Sequence, residues 1–553
     1  MIEKNISNSK KITFVLFLLF FLVGTLTYKD YGISIDEEFQ RSSGLYWLKY
    51  VLEFTPFEEL SREVADKFIQ SKDFTVSHVE DHPFYGVIFD LPAAFLEVIF
   101  KINDPKNYFH LKHFLTFVLF FVGVIFFYKT LLNRFSNYRV ALIGGLFFIL
   151  SPRIYGNSFY NPKDIIFLSL LSISIYFCFK LFDKMNYKNF LLFAFFTALS
   201  TSQRMYGIFL PLSFMGFYFL SLLSKREDIK YIKGVIFFCF TFLLFLTLFW
   251  PYLWSNPFVN FIEAYKYFSH HSHLSGIKML FNSEYVRGDS VPYSYIITWI
   301  SITTPVLYIV LFIIGYFYIL KRFFLKFLNI KTENYYYDLW RSKKEKKDLF
   351  ILFNFTCIIF YLILFDVSIF TGWRHLYFNN IFIIYIASYS LYLTFLNSNL
   401  KTKQNFILSI ISLYLIFISY KMIIYHPFQN VYFNSFFNKT KSIHEKFEVD
   451  YWGLSGNKFL KEVLEIEKDK NYISVASASY IPLERSKKLL NEKDRKKIKI
   501  VGQDYQNADY IYTNFMSEVD KKYNDKYEIP SNFSKINTFT IDNVVVYEVY
   551  KKN

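Results

Sequence analysis

The sequence predicts a mainly α-helical, polytopic membrane bundle followed by a small external α/β domain, and three observations lead there. Runs of roughly 17 to 23 apolar residues recur from the amino terminus to about residue 424, each long enough to cross a hydrocarbon layer as a helix. Apart from their ends, these runs contain no Asp, Glu, Lys or Arg, which a bilayer core would penalise. Beyond His426 the composition turns to Lys and Glu, with short β-type runs between turn residues, the pattern of a small α/β fold. In a chain of 553 residues that is 53% hydrophobic, this describes a membrane protein and not a soluble core.

Taken in order, about eleven spans are expected, near 12–28, 112–132, 138–152, 164–182, 188–203, 206–223, 232–252, 297–320, 349–366, 375–396 and 405–424. The first resembles a signal peptide, but Tyr28 to Gly32 offers no small-residue cleavage site, so it is read as an uncleaved helix. The stretch His82 to Phe100 is apolar but carries Asp90, Pro92 and Glu97, which suits an interfacial amphipathic helix better than a span. Loop charge supports that choice. The loops holding Lys129, Arg134 and Arg139, then Lys180, Lys184 and Lys188, then Lys321 to Lys347, all fall on the side of Lys10 and Lys11. The amino terminus is therefore expected in the cytoplasm and the carboxyl terminus outside.

The formal charge of +16, from 62 basic and 46 acidic residues, sits largely in these short loops, where it orients a membrane protein, so nucleic-acid binding is discounted. Cys178, Cys239 and Cys357 lie inside apolar runs without metal-type or disulfide-type spacing and read as buried thiols. The 71 Phe and 46 Tyr fit a bias toward A/T-rich codons, so no aromatic recognition box is read from their abundance.

Two domains follow, 1–425 in the membrane, with a first external loop from Lys29 to about Leu111, and 426–553 outside. In the tail, strands are expected over Tyr472–Ser477, Ile498–Val501, Tyr510–Thr513 and Val544–Val549. Charges converge on the external rim: Asp36, Glu37 and Glu38, then His78, Glu80, Asp81 and His82, then Arg153, Lys163 and Asp164, then Arg204, then Arg374 with His375. A carboxylate at the membrane boundary suits a general base that takes a proton from an attacking hydroxyl or amine. Arg153, Lys163, Arg204 and Arg374 are cations suited to a leaving phosphate. Each arginine alone also fits a lipid-headgroup contact, and Asp164 also fits a helix cap. His270, His271 and His273 lack a partner carboxylate in their spacing and read as a solvated loop; a divalent cation near Asp36, Glu37 and the histidines is left as an option, with the metal ligands unassigned.

Several motifs carry a resemblance: Ile35-Asp36-Glu37, His82-Pro83-Phe84, Ser151-Pro152-Arg153 through Lys163-Asp164, Thr201-Ser202-Gln203-Arg204, His426 to Asn434, and Asp450-Tyr451-Trp452-Gly453-Leu454. In this order they resemble the GT-C superfamily of glycosyltransferases, in particular the family-39 branch with protein O-mannosyltransferases and the transferases that add aminoarabinose to lipid A. The match departs at Phe84, where the family usually has a second proline. The resemblance implies a GT-C bundle in a bacterial inner membrane with its C-terminal domain in the periplasm, and a donor sugar on a polyprenyl phosphate. It implies an inverting transfer to a lipid, glycan or protein acceptor, with Asp36 as catalytic base. Glu37 and Asp164 accompany Asp36 as catalytic carboxylates in this reading, and His82, Arg153, Lys163, Arg204, Arg374 and His375 bind substrate. Other partners would be membrane lipids, and no cofactor is demanded. Two other classes stay open. A transporter or flippase for the same carrier lipids would need charged residues within the spans, which the sequence lacks. A non-catalytic scaffold would be indifferent to Asp36→Asn.

Overall fold

The computed structural model describes residues 2–72, 78–223, 231–270, 276–328, 340, 342–396 and 400–553. Helix α1 (Ile2–Thr27) is the first expected span, and its exposed Phe14, Leu19, Leu22 and Leu26 form a surface suited to lipid. Helices α2 (Glu37–Leu52), α3 (Glu58–Lys72) and α4 (Asp90–Ile99) follow and share a small core of Leu45, Leu48, Val64 and Val98. With ten residues α4 is too short to span, as expected. Its two acids are buried and each is paired: Asp90 lies 3.1 Å from Lys112, and Glu97 lies 2.5 Å from Arg41.

Helix α5 (Pro105–Phe135) opens with Asp104 accepting a hydrogen bond from the Lys106 N–H and with proline at its first position, where no amide partner is lost. Helices α6 (Tyr138–Ile149) and α7 (Pro152–Tyr160) meet at 61°, because Ser151, held extended before Pro152, interrupts the helix. The polar stretch around α7 reads as a loop from sequence; it is helical and wholly buried, its Asn157 amide donating to the Arg153 carbonyl at 2.8 Å. Helices α8 (Asp164–Asp183), α9 (Tyr187–Gln203), α10 (Phe209–Leu223) and α11 (Ile232–Phe249) continue the bundle. Helix α12 (Pro257–His270) leaves Phe258 and Val259 exposed and leads into a hairpin of β1 (Lys278–Phe281) and β2 (Glu284–Arg287).

The span expected at 297–320 is broken into α13 (Tyr295–Thr303) and α14 (Val306–Leu328), since Pro305 cannot donate to the helix ladder and holds Thr304 extended. Helices α15 (Lys343–Leu364), α16 (Asn379–Leu396) and α17 (Lys401–Ile424) complete the bundle. All eleven expected spans therefore fall on helices. Among the described residues eight helices are long and apolar enough to cross a membrane, or nine with α6 and α7 taken as one bent span. The 17-residue α9 and the 18-residue α16 occupy the other two expected positions. The chain is thus a multi-pass helical bundle. At one end the charges of the loops expected in the cytoplasm neutralise one another: Arg134 Nε donates to Asp348 at 2.7 Å and Lys347 to Asp183 at 2.6 Å.

At the opposite end, residues 426–455 cross the bundle with Gln429, Asn430 and Asp450 buried. Helix α18 (Gly456–Ile466) and strand β3 (Ile473–Ser477) begin the α/β fold, followed by α19 (Glu484–Lys487), α20 (Glu492–Lys497), β4 (Ile498–Ile500), β5 (Tyr510–Thr513), β6 (Phe533–Ile541) and β7 (Val544–Lys552). The sheet order is β4-β3-β5-β7-β6, parallel at β3 and antiparallel around β7. The four expected strands are present. The additional one, β6, is an edge strand whose Ser534, Lys535 and Asn537 face solvent, so it lacks the apolar signature of its neighbours. One apolar core runs from Phe17 through Phe148 and Tyr377 to Tyr512 and Val549, which docks the sheet firmly on the bundle.

Candidate active site

The site begins at the turn before α2. Glu37 is fully buried, accepts the Ser34 N–H at 2.7 Å through Oε2, and places Oε1 3.0 Å from His113 Nε2 on α5. Ser34 in turn donates its hydroxyl to the Tyr160 carbonyl at 2.8 Å. The turn is thereby pinned from behind. Successive residues at the start of a helix point about 100° apart, so neighbouring acids cannot share a direction. Asp36 faces Arg374 at 2.5 Å, while Glu38 accepts from Arg485 Nε at 3.1 Å and contacts Lys488, both in the α/β fold.

Arg374 stands on a single 3-10 turn that follows Thr371 and Gly372, both with left-handed φ near +50° and +66°. Its guanidinium lies 4.7 Å from the Trp452 ring, which supplies a further, cation–π attraction. Asp164 opens α8 but does not act as its side-chain cap. Asn161 takes that part, accepting the Asp164 N–H at 3.0 Å and donating to Asp164 Oδ2 at 2.9 Å, which leaves Oδ1 for an ion pair with Arg204. Lys163 donates to the Gly86 carbonyl at 2.8 Å, and burial pushes its ammonium down to about 7. Gly86 has to be glycine, because a Cβ there would collide with the Ser202 carbonyl beside Arg204.

These groups surround one cavity of about 230 Å³, whose wall is completed by residues of the α/β fold. Six of the nine residues expected from sequence line it: Asp36, His82, Lys163, Arg204, Arg374 and His375. Asp164 stands one contact behind, through Arg204. Two are placed elsewhere. Glu37 is absent from the cavity wall and anchors the turn. Arg153 is buried under the tail, its Nε donating to the Tyr432 carbonyl at 3.0 Å and its guanidinium 4.8 Å from the Phe433 ring. The cause is α7, which carries Arg153 toward the tail where sequence suggested a rim loop. His82 Nδ1 lies 3.0 Å from the Tyr267 hydroxyl, and Phe84, standing where a proline is usual, stacks on Tyr267 at 4.4 Å. That stack fastens α12 against the first loop.

Sequence reasoning missed the wall supplied by the far end of the chain: Glu448, Tyr451, Tyr480, Arg485 and Glu518, with Lys278 from the hairpin. Only Tyr451 carried a signal, as part of the Asp450 to Leu454 motif. Among the described residues no group of three or more His, Cys, Asp or Glu converges as metal ligands, and His271 and His273 lie outside the described residues.

Residues 91–254 match the family described as dolichyl-phosphate-mannose-protein mannosyltransferase, and no curated protein matches the chain. The matched segment runs from α4 to just beyond α11 and contains Lys163 and Arg204 of the cavity wall, with Asp164 behind Arg204. With its many apolar helices, the chain is a multi-pass membrane protein that is similar to the dolichyl-phosphate-mannose-protein mannosyltransferases over residues 91–254.

Proposed function

We propose that the protein transfers a sugar from a polyprenyl-phosphate carrier to a lipid, glycan or protein acceptor at the external face of a bacterial inner membrane, with inversion at the anomeric carbon. The observation that carries this reading is the pairing of Asp36 with Arg374 across a cavity that also holds Arg204 and Lys163.

In this reading the acceptor's hydroxyl or amine attacks the anomeric carbon and gives its proton to Asp36. The bond from that carbon to the phosphate oxygen breaks as the new one forms. Arg374 holds Asp36 Oδ2, which leaves Oδ1 for the proton; at 35% exposure the Asp36 side chain is open to a ligand, whereas Glu37 is committed to His113 and Glu38 to Arg485 and Lys488. Arg204 and Lys163 lie where they can meet the departing phosphate, whose charge grows as the bond lengthens. Phosphate is already a good leaving group, so a second carboxyl acting as acid is not required. His82 and His375, also on the wall, complete the polar surface offered to the substrate. Residues 1–425 would form the membrane transferase domain and 426–553 a periplasmic domain that roofs the cavity.

The test is transfer itself. Mass spectrometry of envelope glycolipids and glycoproteins with and without the gene identifies sugar and acceptor, and a reconstituted assay with that pair follows. Wild-type turnover by Asp36→Asn would remove Asp36 from the mechanism.

A further inference from the structure

Glu448 is the one cavity-wall acid whose carboxylate oxygen Oε2 is buried without a hydrogen-bond partner among the described residues. The residue is 5% exposed and forms no ion pair among those residues, in contrast to Asp36, Asp90 and Glu518, which are held by Arg374, Lys112 and Lys526. Its position is built. The preceding Phe447 bridges to Phe281 at the end of β1, and the Lys446 carbonyl accepts the Ser283 N–H at 3.1 Å. A polar atom left without a partner in such a place costs stability unless water or a ligand bonds it. Burial pushes the Glu448 carboxyl up to about 8 although Arg374 pulls the other way, so near neutral pH it holds a proton and can both donate and accept. A sugar hydroxyl offers the same two capacities.

We propose that Glu448 is a sugar-recognition residue, its Oε2 bonding a ring hydroxyl of the transferred sugar while Asp36 stands at the reacting centre. This rests on the donor reading above. The experiment uses full-length protein in nanodiscs and a long-chain polyprenyl phosphate, bare or carrying glucose, mannose, galactose or arabinose, with binding measured for each. Wild type is expected to prefer one or more sugar-bearing forms over the bare phosphate. Glu448→Ala should cut that preference about tenfold while leaving the bare carrier's affinity unchanged, and Glu448→Gln, which also donates and accepts, should keep most of it. If the alanine variant is not recovered folded, Glu448→Asp, which withdraws the carboxyl by one methylene, should show the same selective loss. Unchanged sugar preference in the alanine or aspartate variant, or equal loss for the bare carrier, overturns the assignment to Glu448 alone. Equal wild-type binding of bare and sugar-bearing carriers also overturns it but spares the phosphate site, whereas no wild-type binding of any carrier overturns the donor reading and this proposal together.

Discussion

Asp36 and Arg374 meet at 2.5 Å although 338 residues separate them, one in the turn before α2 and the other just before α16, the last but one helix of the bundle. The pair is half-sheltered, with 35% of the aspartate side chain and 14% of the arginine side chain exposed, and both residues line the cavity.

Replacement of Asp36 by Asn should lower transfer about 10²- to 10⁴-fold, the usual worth of a positioned base, with membrane insertion unchanged. Arg374→Ala should lower it too, and the double variant should be little worse than the poorer single one, since both remove one unit. Additive losses in the reconstituted assay would mean that the two act separately.

For the phosphate, Arg204→Ala should raise the donor KM about tenfold with a smaller fall in kcat, because a charge-assisted bond to the carrier is lost. Asp164→Asn should produce a weaker version of the same effect by freeing Arg204 from its partner. A fall confined to kcat would move Arg204 from donor binding to another role.

Glu37→Gln should strongly reduce transfer through the turn it pins. The buried contact with His113 is weakened, at a cost of about 1–3 kcal/mol, so the unfolding temperature should fall by several degrees. Lost activity without any change in unfolding temperature would instead favour a direct chemical role.

Lys163 gives a dependence on pH. Its ammonium is brought down to about 7 by burial, so between about 7 and its ordinary range near 10.5 the unfolded chain binds a proton that the folded one does not. Stability therefore rises with pH across that window, and the cost of burying the charged form is felt fully below it. A donor phosphate should restore the proton, so binding at pH 8 should take up protons, read as a buffer-dependent heat in calorimetry. Lys163→Met should abolish that uptake; its persistence would place the proton elsewhere.

Glu38→Ala removes the acid that joins α2 to Arg485 and Lys488. Faster amide exchange in α19 and a raised KM are expected, because the α/β fold roofs the cavity. Unchanged exchange would show that the apolar core alone holds the roof.

Much of this architecture is local information. A long apolar run must satisfy its own backbone inside a bilayer and does so as a helix whatever surrounds it, so helices at the eleven expected positions could be read from residue order, eight or nine of them, among the described residues, long and apolar enough to cross a membrane, and Asp90 and Glu97 were enough to keep α4 out of the count. Parity of the basic loops likewise brought Asp36, Lys163, Arg204 and Arg374 to one end. What residue order could not express was direction within that end. Asp36, Glu37 and Glu38 are equivalent as a string, yet the first 100° turns of a helix send them to a cavity, to His113 and to Arg485. Arg153 went under the tail because Pro152 began a buried helix there, and Glu448 entered the wall because residues 426–455 fold back over the bundle. Those outcomes depend on contacts between segments hundreds of residues apart, whose energies have no trace in either segment alone.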